Sequence, residues 1–544
     1  MRIGKYILSS LLLIAALAWT LWFVFAGFGN PQDPLYWLYK YEHLEGGWMV
    51  AGTLLAGGGI VHLFGAQLLP LRLAGWLCVV GAIAIPYCCL LSKEQRRENI
   101  HWLALTYLLM GYGAFQEFSP GTLTVLLLSL LWVCVEWYRR SGNGLWPVVC
   151  AGIVTGLAVT VRFPNILAFP LALLALHSGQ AVIARHETRY RLTLTIAALI
   201  TAGVVYGLSL WLVTPAATDT AMSSHEMRAM LLKLWQHGGQ LAGYMFIAFG
   251  AIKAYSLTLS LQGEGKNNKY TISNIKYNII LGCAVGLLLI YFIAYTMRPT
   301  QWYNTDLTYF ISALCIVIAL AANYQLSIIN YQLPIGAAIL IVATLGTDTA
   351  WLKLFPAVLC LLPVAGVQYE QATRRYLWSL LMVVAIMVAV RFSTNSVGKT
   401  NLLATETRTL VAPYEHIAIT EAEQERLVQY KADYDSLSSN SLTVIALGQD
   451  NHLIRAVTGC EAARYNEFWS NIFDSVYTAK YRPIIEAERP IVFCAFSPQF
   501  KTKKTYQDRQ SAMENMLREL GYREIDRSEY RYVIYIPNDD TEIR

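Results

Sequence analysis

For most of its length this chain is one apolar run after another, and that succession limits its fold more than any motif does. Runs occupy residues 6–25, 70–91, 100–115, 119–138, 145–161 and 165–183. Others lie near 192–214, 240–262, 278–297, 307–323, 331–346, 350–368 and 375–391. A helix needs about 20 residues to cross the hydrocarbon of a bilayer, and repeated runs near that length mean repeated crossings. Composition agrees: 55% of the 544 residues are hydrophobic and 14% charged, whereas soluble proteins carry about a quarter charged residues. Beyond residue 391 charge becomes dense and mixed. The expected architecture is an α-helical polytopic membrane domain over 1–391, with about thirteen transmembrane helices, followed by a small α/β extracytoplasmic domain over 392–544.

Positive charge orients the spans. If residues 48–64 do not cross, Arg2 and Lys5, Lys93, Arg96 and Arg97, Arg139 and Arg140, Arg185, Arg189 and Arg191, Lys266, Lys269 and Lys276, and Arg374 and Arg375 share one side. The positive-inside rule makes that side cytoplasmic. The N-terminus is then cytoplasmic and the C-terminal domain lies outside. The segment from Tyr6 to Phe25 is too long and too aromatic for a cleaved signal peptide and reads as a retained first span. A net charge of +6 with no basic stripe excludes a nucleic-acid binder. Most of the ten cysteines sit inside apolar runs, and no spacing resembles a metal site.

The first outer loop holds the densest polar and aromatic signal, Gln32-Asp33-Pro34-Leu35-Tyr36-Trp37-Leu38-Tyr39-Lys40-Tyr41-Glu42-His43 before Gly46-Gly47. Asp33-Pro34 reads as a helix start and Gly46-Gly47 as its close. Tyr36, Trp37, Tyr39 and Tyr41 are aromatics suited to a membrane–water interface. Asp33 has two readings, a helix cap or a catalytic base at the rim of a membrane cavity. Glu117, Arg162, Arg298, Asp306, Asp348 and Lys353 also fall on the outer side, where they form a polar cavity or serve as caps, turn residues and snorkelling anchors. Lys253 lies within a span with no evident partner.

In the C-terminal domain, 442–447, 491–496 and 532–536 read as strands and 506–520 as a helix ended by Gly521. Of its two cysteines, Cys460 and Cys494, the second sits mid-strand and reads as a buried free thiol; a disulfide is the alternative.

Over roughly residues 1–390 the chain resembles the GT-C superfamily of integral-membrane glycosyltransferases, in the manner of its bacterial mannosyltransferase-like and aminoarabinose-transferase-like members. The resemblance rests on the arrangement of spans and on the passages QDPLYWLYKYEHLEGG, HLFGAQLLPLRLAGWL, FQEFSP, GLAVTVRFPNIL and TLGTDTAWLK. It implies a bacterial inner-membrane enzyme that moves a hexose or pentose from a polyprenyl-phosphate donor to an extracytoplasmic glycan, lipid or protein. Inversion and no cofactor or metal are implied as well. Asp33 is the implied base, with Glu117 second; Arg162, Arg298, Lys353, Asp348, Asp306 and Tyr36 are substrate contacts. No paired Asp-x-Asp stands in the first loop, and the tryptophan-rich signature of oligosaccharyltransferases is absent. The rival class is a polytopic transporter or lipid flippase, which would usually show internal repeats; the sequence shows none.

Overall fold

The structure is a computed structural model. It describes residues 2–27, 32–110, 117–141, 144–176, 184–215, 305–325, 332–345, 350–368, 407–438, 444–448, 451–459, 474–495 and 504–538, together with helical residues 232, 235–236, 238–245, 377–378, 381–382, 384–386 and 388–389. The run expected at 278–297 lies outside the described residues, as does Lys253.

The chain is mostly helical. Its first part holds α1 (Arg2–Phe25), α2 (Gln32–His43), α3 (Ala51–Phe64), α4 (Leu68–Leu90), α5 (Lys93–Glu98), α6 (Ile100–Met110), α7 (Pro120–Ser141), α8 (Leu145–Val161), α9 (Ala168–Ala175) and α10 (Ala184–Leu212). After these come α11 (Thr305–Gln325), α12 (Gln332–Ile341), α13 (Ala350–Leu359) and α14 (Leu362–Gly366). Among the described residues four helical stretches are long and apolar enough to cross a membrane: Tyr6–Phe25, Leu68–Leu90, Pro120–Ser141 and Thr188–Leu212. The run expected at 165–183 is broken, because Phe163–Leu167 forms a 3-10 turn before the short α9. Trp102 on α6 and Trp132 on α7 are fully buried in the shared core.

The two ends of this bundle are closed differently. At one end the connections are short and basic. Ser92 caps α5 in a capping box with Gln95, Arg140 Nη2 donates to Leu90 O at 2.7 Å, and the Arg97 guanidinium stands over the Tyr6 ring. At the other end α1 stops at Phe25, and the chain makes a long excursion through α2 and α3 before α4. Gly27 N donates to Ala418 O (2.8 Å), and Leu68 N donates to Pro413 O (3.0 Å). The excursion therefore leaves and returns at one end of the bundle. Its second helix, α3, has 14 residues, about 21 Å of helix, which is short of the roughly 30 Å hydrocarbon.

The C-terminal part carries a small pairing of β1 (Thr407–Arg408) with β2 (Ala418–Ile419). A four-stranded sheet follows, built from β3 (Val444–Gly448), β4 (Ile491–Ala495), β5 (Tyr522–Arg527) and β6 (Tyr532–Pro537). Its order is β3-β4-β6-β5, with β3 parallel to β4 and β6 antiparallel to both its neighbours. Helices α15 (Glu421–Ser438), α16 (Asn451–Thr458), α17 (Asp474–Glu488) and α18 (Lys504–Glu519) complete it. Cys494 on β4 is buried and free; Cys460 lies outside the described residues. The charged strand β5 was not expected. It lies at the sheet edge with mostly solvated side chains, so no apolar run marks it.

Candidate functional site

Helix α2 takes in Asp33 and Pro34 within its first turn. A proline there fixes φ and gives up an N–H that has no intrahelical partner in any case. The helix ends earlier than its glycines suggest. Leu44 takes a left-handed conformation with φ 45°, and Glu45 N closes the turn by donating to Lys40 O at 3.1 Å. The glycines allow close approach instead. A Cβ at Gly57 would lie 2.4 Å from the Tyr41 ring, and one at Gly58 would lie 2.3 Å from a Leu44 methyl. Thus α2 and α3 sit closer together than side-chain-bearing residues would permit.

Two faces of α2 are covered. Leu35, Leu38 and Tyr41 join a core that also contains Tyr414, Ile417, Leu427, Leu453 and Ile454. The loop and the C-terminal part therefore share one apolar interior. On the neighbouring face, the Tyr36 ring meets His452 edge-on at 5.5 Å, and the Arg455 guanidinium lies 4.0 Å from the Tyr39 ring centre. The aromatics expected at a water–lipid interface are thus used largely for packing: Tyr41 is 1% exposed, and its hydroxyl donates to Phe118 O at 3.0 Å. Burial, with Arg455 and Lys40 nearby, lowers His452 to about 3, so this ring is neutral at physiological pH.

Beneath α2 lies a buried ion pair. Arg72, in the second turn of α4, donates from Nε to Glu117 Oε1 at 3.0 Å and from Nη1 to Gly27 O at 2.9 Å. Both side chains are almost fully buried. Phe118 N donates to Leu71 O at 2.8 Å. Glu117 is therefore neither an exposed base nor the cap of α7. Ser119 takes the capping place, with Ser119 N donating to Thr122 Oγ1 at 3.0 Å and Thr122 N to Ser119 Oγ at 3.4 Å. Arg72 is the residue whose role the sequence reading missed; its signal was a lone arginine near the start of an otherwise apolar helix.

Arg162 follows α8 in extended conformation, where Pro164 disfavours helical continuation through Phe163. It is 8% exposed, and its Nη1 donates to Ala343 O at 2.9 Å. Lys353 on α13 runs along the start of α7, where a Cβ on Gly121 would lie 3.8 Å from its Nζ. The loop's second helix joins the same end through Thr53 Oγ1, which donates to Val161 O at 2.9 Å. The structure thus brings α2, the Arg72–Glu117 pair and Lys353 to the start of α7, and gathers Arg162 with α3 at the end of α8. Asp306 stands in the first turn of α11. Arg298 and Asp348 lie outside the described residues. Among the described residues no group of three or more His, Cys, Asp or Glu could hold a metal ion. A helix carrying a carboxylate, held from both sides, can position a proton acceptor; arginine and lysine at the same end can take up the charge of a departing phosphate.

No protein-family model matches the sequence, and no curated protein does. Among solved structures, the chain is similar to ArnT from Cupriavidus metallidurans in the apo state, at 13% identity and a TM-score of 0.41 over 98% of each chain. It is similar to the same protein bound to undecaprenyl phosphate at 12% identity and a TM-score of 0.43, again over 98% of each chain. The archaeal oligosaccharyltransferase AglB from Archaeoglobus fulgidus, in complex with an inhibitory peptide and a dolichol-phosphate, matches at 13% identity and a TM-score of 0.44, over 99% of this chain and 75% of that one.

Proposed function

We propose that this protein is a GT-C-type glycosyltransferase of a bacterial inner membrane that moves a sugar from a polyprenyl-phosphate donor to an extracytoplasmic acceptor, with inversion. The observation that carries this reading is the confinement of α2. A 12-residue helix with Asp33 in its first turn is tied through Tyr41 to Phe118, beside the buried ion pair, and packed against the C-terminal part, at the bundle end that also holds Arg162 and Lys353. The sequence resemblance assigns Asp33 the base role, and a base must stand within hydrogen-bond reach of the acceptor hydroxyl. In the reaction, Asp33 takes the hydroxyl proton as its oxygen attacks the anomeric carbon from the face opposite the phosphate. The bond from that carbon to the phosphate oxygen breaks, and Arg162 and Lys353 stabilise the polyprenyl phosphate that leaves.

Replacing Asp33 by Asn keeps a competent helix start and removes the base. Transfer per inserted molecule falls on the order of 10²–10⁴-fold, the usual range for a positioned base, with insertion unchanged. Near-normal transfer by this variant would leave Asp33 a residue of the helix start alone and sink the assignment. Arg162 separates donor binding from anchoring. Arg162→Lys weakens donor use, because a point charge replaces a planar fork, and Arg162→Ala weakens it further, by roughly 1.5–3 kcal/mol. An anchor in the lipid predicts the reverse: lysine substitutes well and alanine lowers the amount inserted.

A further inference from the structure

The break between α8 and α9 is held by a side chain that the chemistry above does not use. Asn165 is fully buried. Its Nδ2 donates to Ala158 O at 2.8 Å and to Thr124 Oγ1 on α7 at 2.9 Å. Its backbone N donates to Arg162 O at 2.9 Å, and Arg162 N donates to Ala158 O at 3.1 Å. Ala158 O thus accepts from both residues, and the backbone of Arg162 is held on either side by bonds that run to Asn165 or to the carbonyl it caps. The last carbonyls of a helix lack partners within it, and here a side-chain amide supplies one. Asn165 Oδ1 is buried too, and among the described residues no donor reaches it. A leucine of similar size would fill the place without that cost. The value of the residue therefore lies in its amide nitrogen, which serves two acceptors at once.

We infer that Asn165 is a positioning residue for the transfer, acting through Arg162. This rests on the reading of Arg162 as a ligand of the departing phosphate. Arg162 stands in extended conformation past the end of α8, where no helical ladder fixes its direction. Its direction comes from outside, from the Asn165 turn at the backbone and from Ala343 O, which accepts from Nη1 at 2.9 Å. Thr124 follows Gly121 by three residues on one face of α7, about 4.5 Å along the axis, and Lys353 runs against Gly121. The bond from Asn165 to Thr124 therefore ties the turn that carries Arg162 to the stretch of α7 along which Lys353 lies. Through that bond Asn165 sets the spacing of the two cations that take up the leaving phosphate. Aspartate has the same size but no donor, so it cannot make either bond as a carboxylate.

The test uses the full chain in lipid nanodiscs, with undecaprenyl phosphate as the probe and Asn165→Leu made alone and together with Arg162→Lys. Asn165→Leu should weaken undecaprenyl phosphate binding per inserted molecule about three- to tenfold, the size of one or two hydrogen bonds. Hydrogen exchange at the Arg162 amide should rise with it. In the Arg162→Lys background the same replacement should cost less than about twofold, because the planar fork it aims is gone. Thr124→Val leaves Asn165 in place and removes its bond to α7; it should show the same pattern at smaller size, and it carries the test if Asn165→Leu fails to insert. Equal losses of affinity in the two backgrounds would make Asn165 a residue of the fold alone and overturn the inference. So would unchanged affinity in Asn165→Leu beside a lower melting temperature, or unchanged exchange at Arg162. Undecaprenyl phosphate bound equally by wild type and Arg162→Ala defeats the donor reading instead, and raised exchange in Asn165→Leu then still identifies Asn165 as the residue that holds Arg162.

Discussion

The two ends of the helical bundle close the same set of helices by opposite means. The basic end uses short connections, a capping box, and arginines that reach neighbouring carbonyls and a ring. The contacts named there join helices and short connections that meet at that end. The loop end uses a long excursion whose helix α2 touches elements several hundred residues away, with a buried ion pair beneath it and the C-terminal part above it. The contrast separates two demands on a membrane protein. Charge kept outside the bilayer is enough to orient spans. Fixing a short surface helix such as α2 takes packing on more than one of its faces.

The comparison breaks most sharply at the buried pair. Arg72→Leu takes from Glu117 its buried arginine, and Glu117→Leu takes from Arg72 its buried carboxylate. Each should lower stability by about 3–5 kcal/mol, whereas the double replacement should restore most of that loss. Thermal unfolding of the three variants checks this; additive losses in the double variant would mean the pair does not act as one unit. A transfer assay on the double variant then isolates positioning from stability, because the charges are gone and the fold remains.

The seam between α2 and α16 sharpens the contrast through pH. Folded, His452 stays neutral down to about pH 3, while in the unfolded chain it takes its proton near pH 6.5. Between those values the unfolded state holds the extra proton, so stability falls as the pH falls. The melting midpoint of the wild type should drop on acidification below about pH 6.5, and His452→Gln should flatten that dependence. Equal slopes would show that His452 does not govern the seam. The smallest effect belongs to the basic end: Ser92→Ala removes a cap worth about 1 kcal/mol. It should not alter transfer, and a change in transfer would couple the two ends.

The helical class, the run of apolar segments and the strands β3, β4 and β6 were legible in the sequence because each is written in a local pattern. The position of α2 was legible too, from Asp33-Pro34 and the aromatics that follow. Its end was not, because Leu44 is left-handed by virtue of a backbone hydrogen bond and of Gly58 opposite it, neither of which is marked in the local sequence. Glu117 was taken for a base or a cap because its partner Arg72 is 45 residues away. Lys40 was read only as one of the charges of the outer loop, yet it is buried in the structure, with His452 and Arg455 nearby from a distant helix. Local chemistry was read correctly where the chain speaks to its neighbours in sequence, and missed where it speaks across the fold.

The backbone bonds from Gly27 and Leu68 to Ala418 and Pro413 also set an order in time. A ribosome makes the first loop early, but the strand segment that fastens both its ends emerges only after the last helices of the bundle have been made. Until then α2 has a partner on one face only, and the loop is an unfinished part within a nearly complete membrane domain. Fastening of the loop thus comes after the bundle helices have been made, so a nascent chain stalled before residue 413 has no fastened loop.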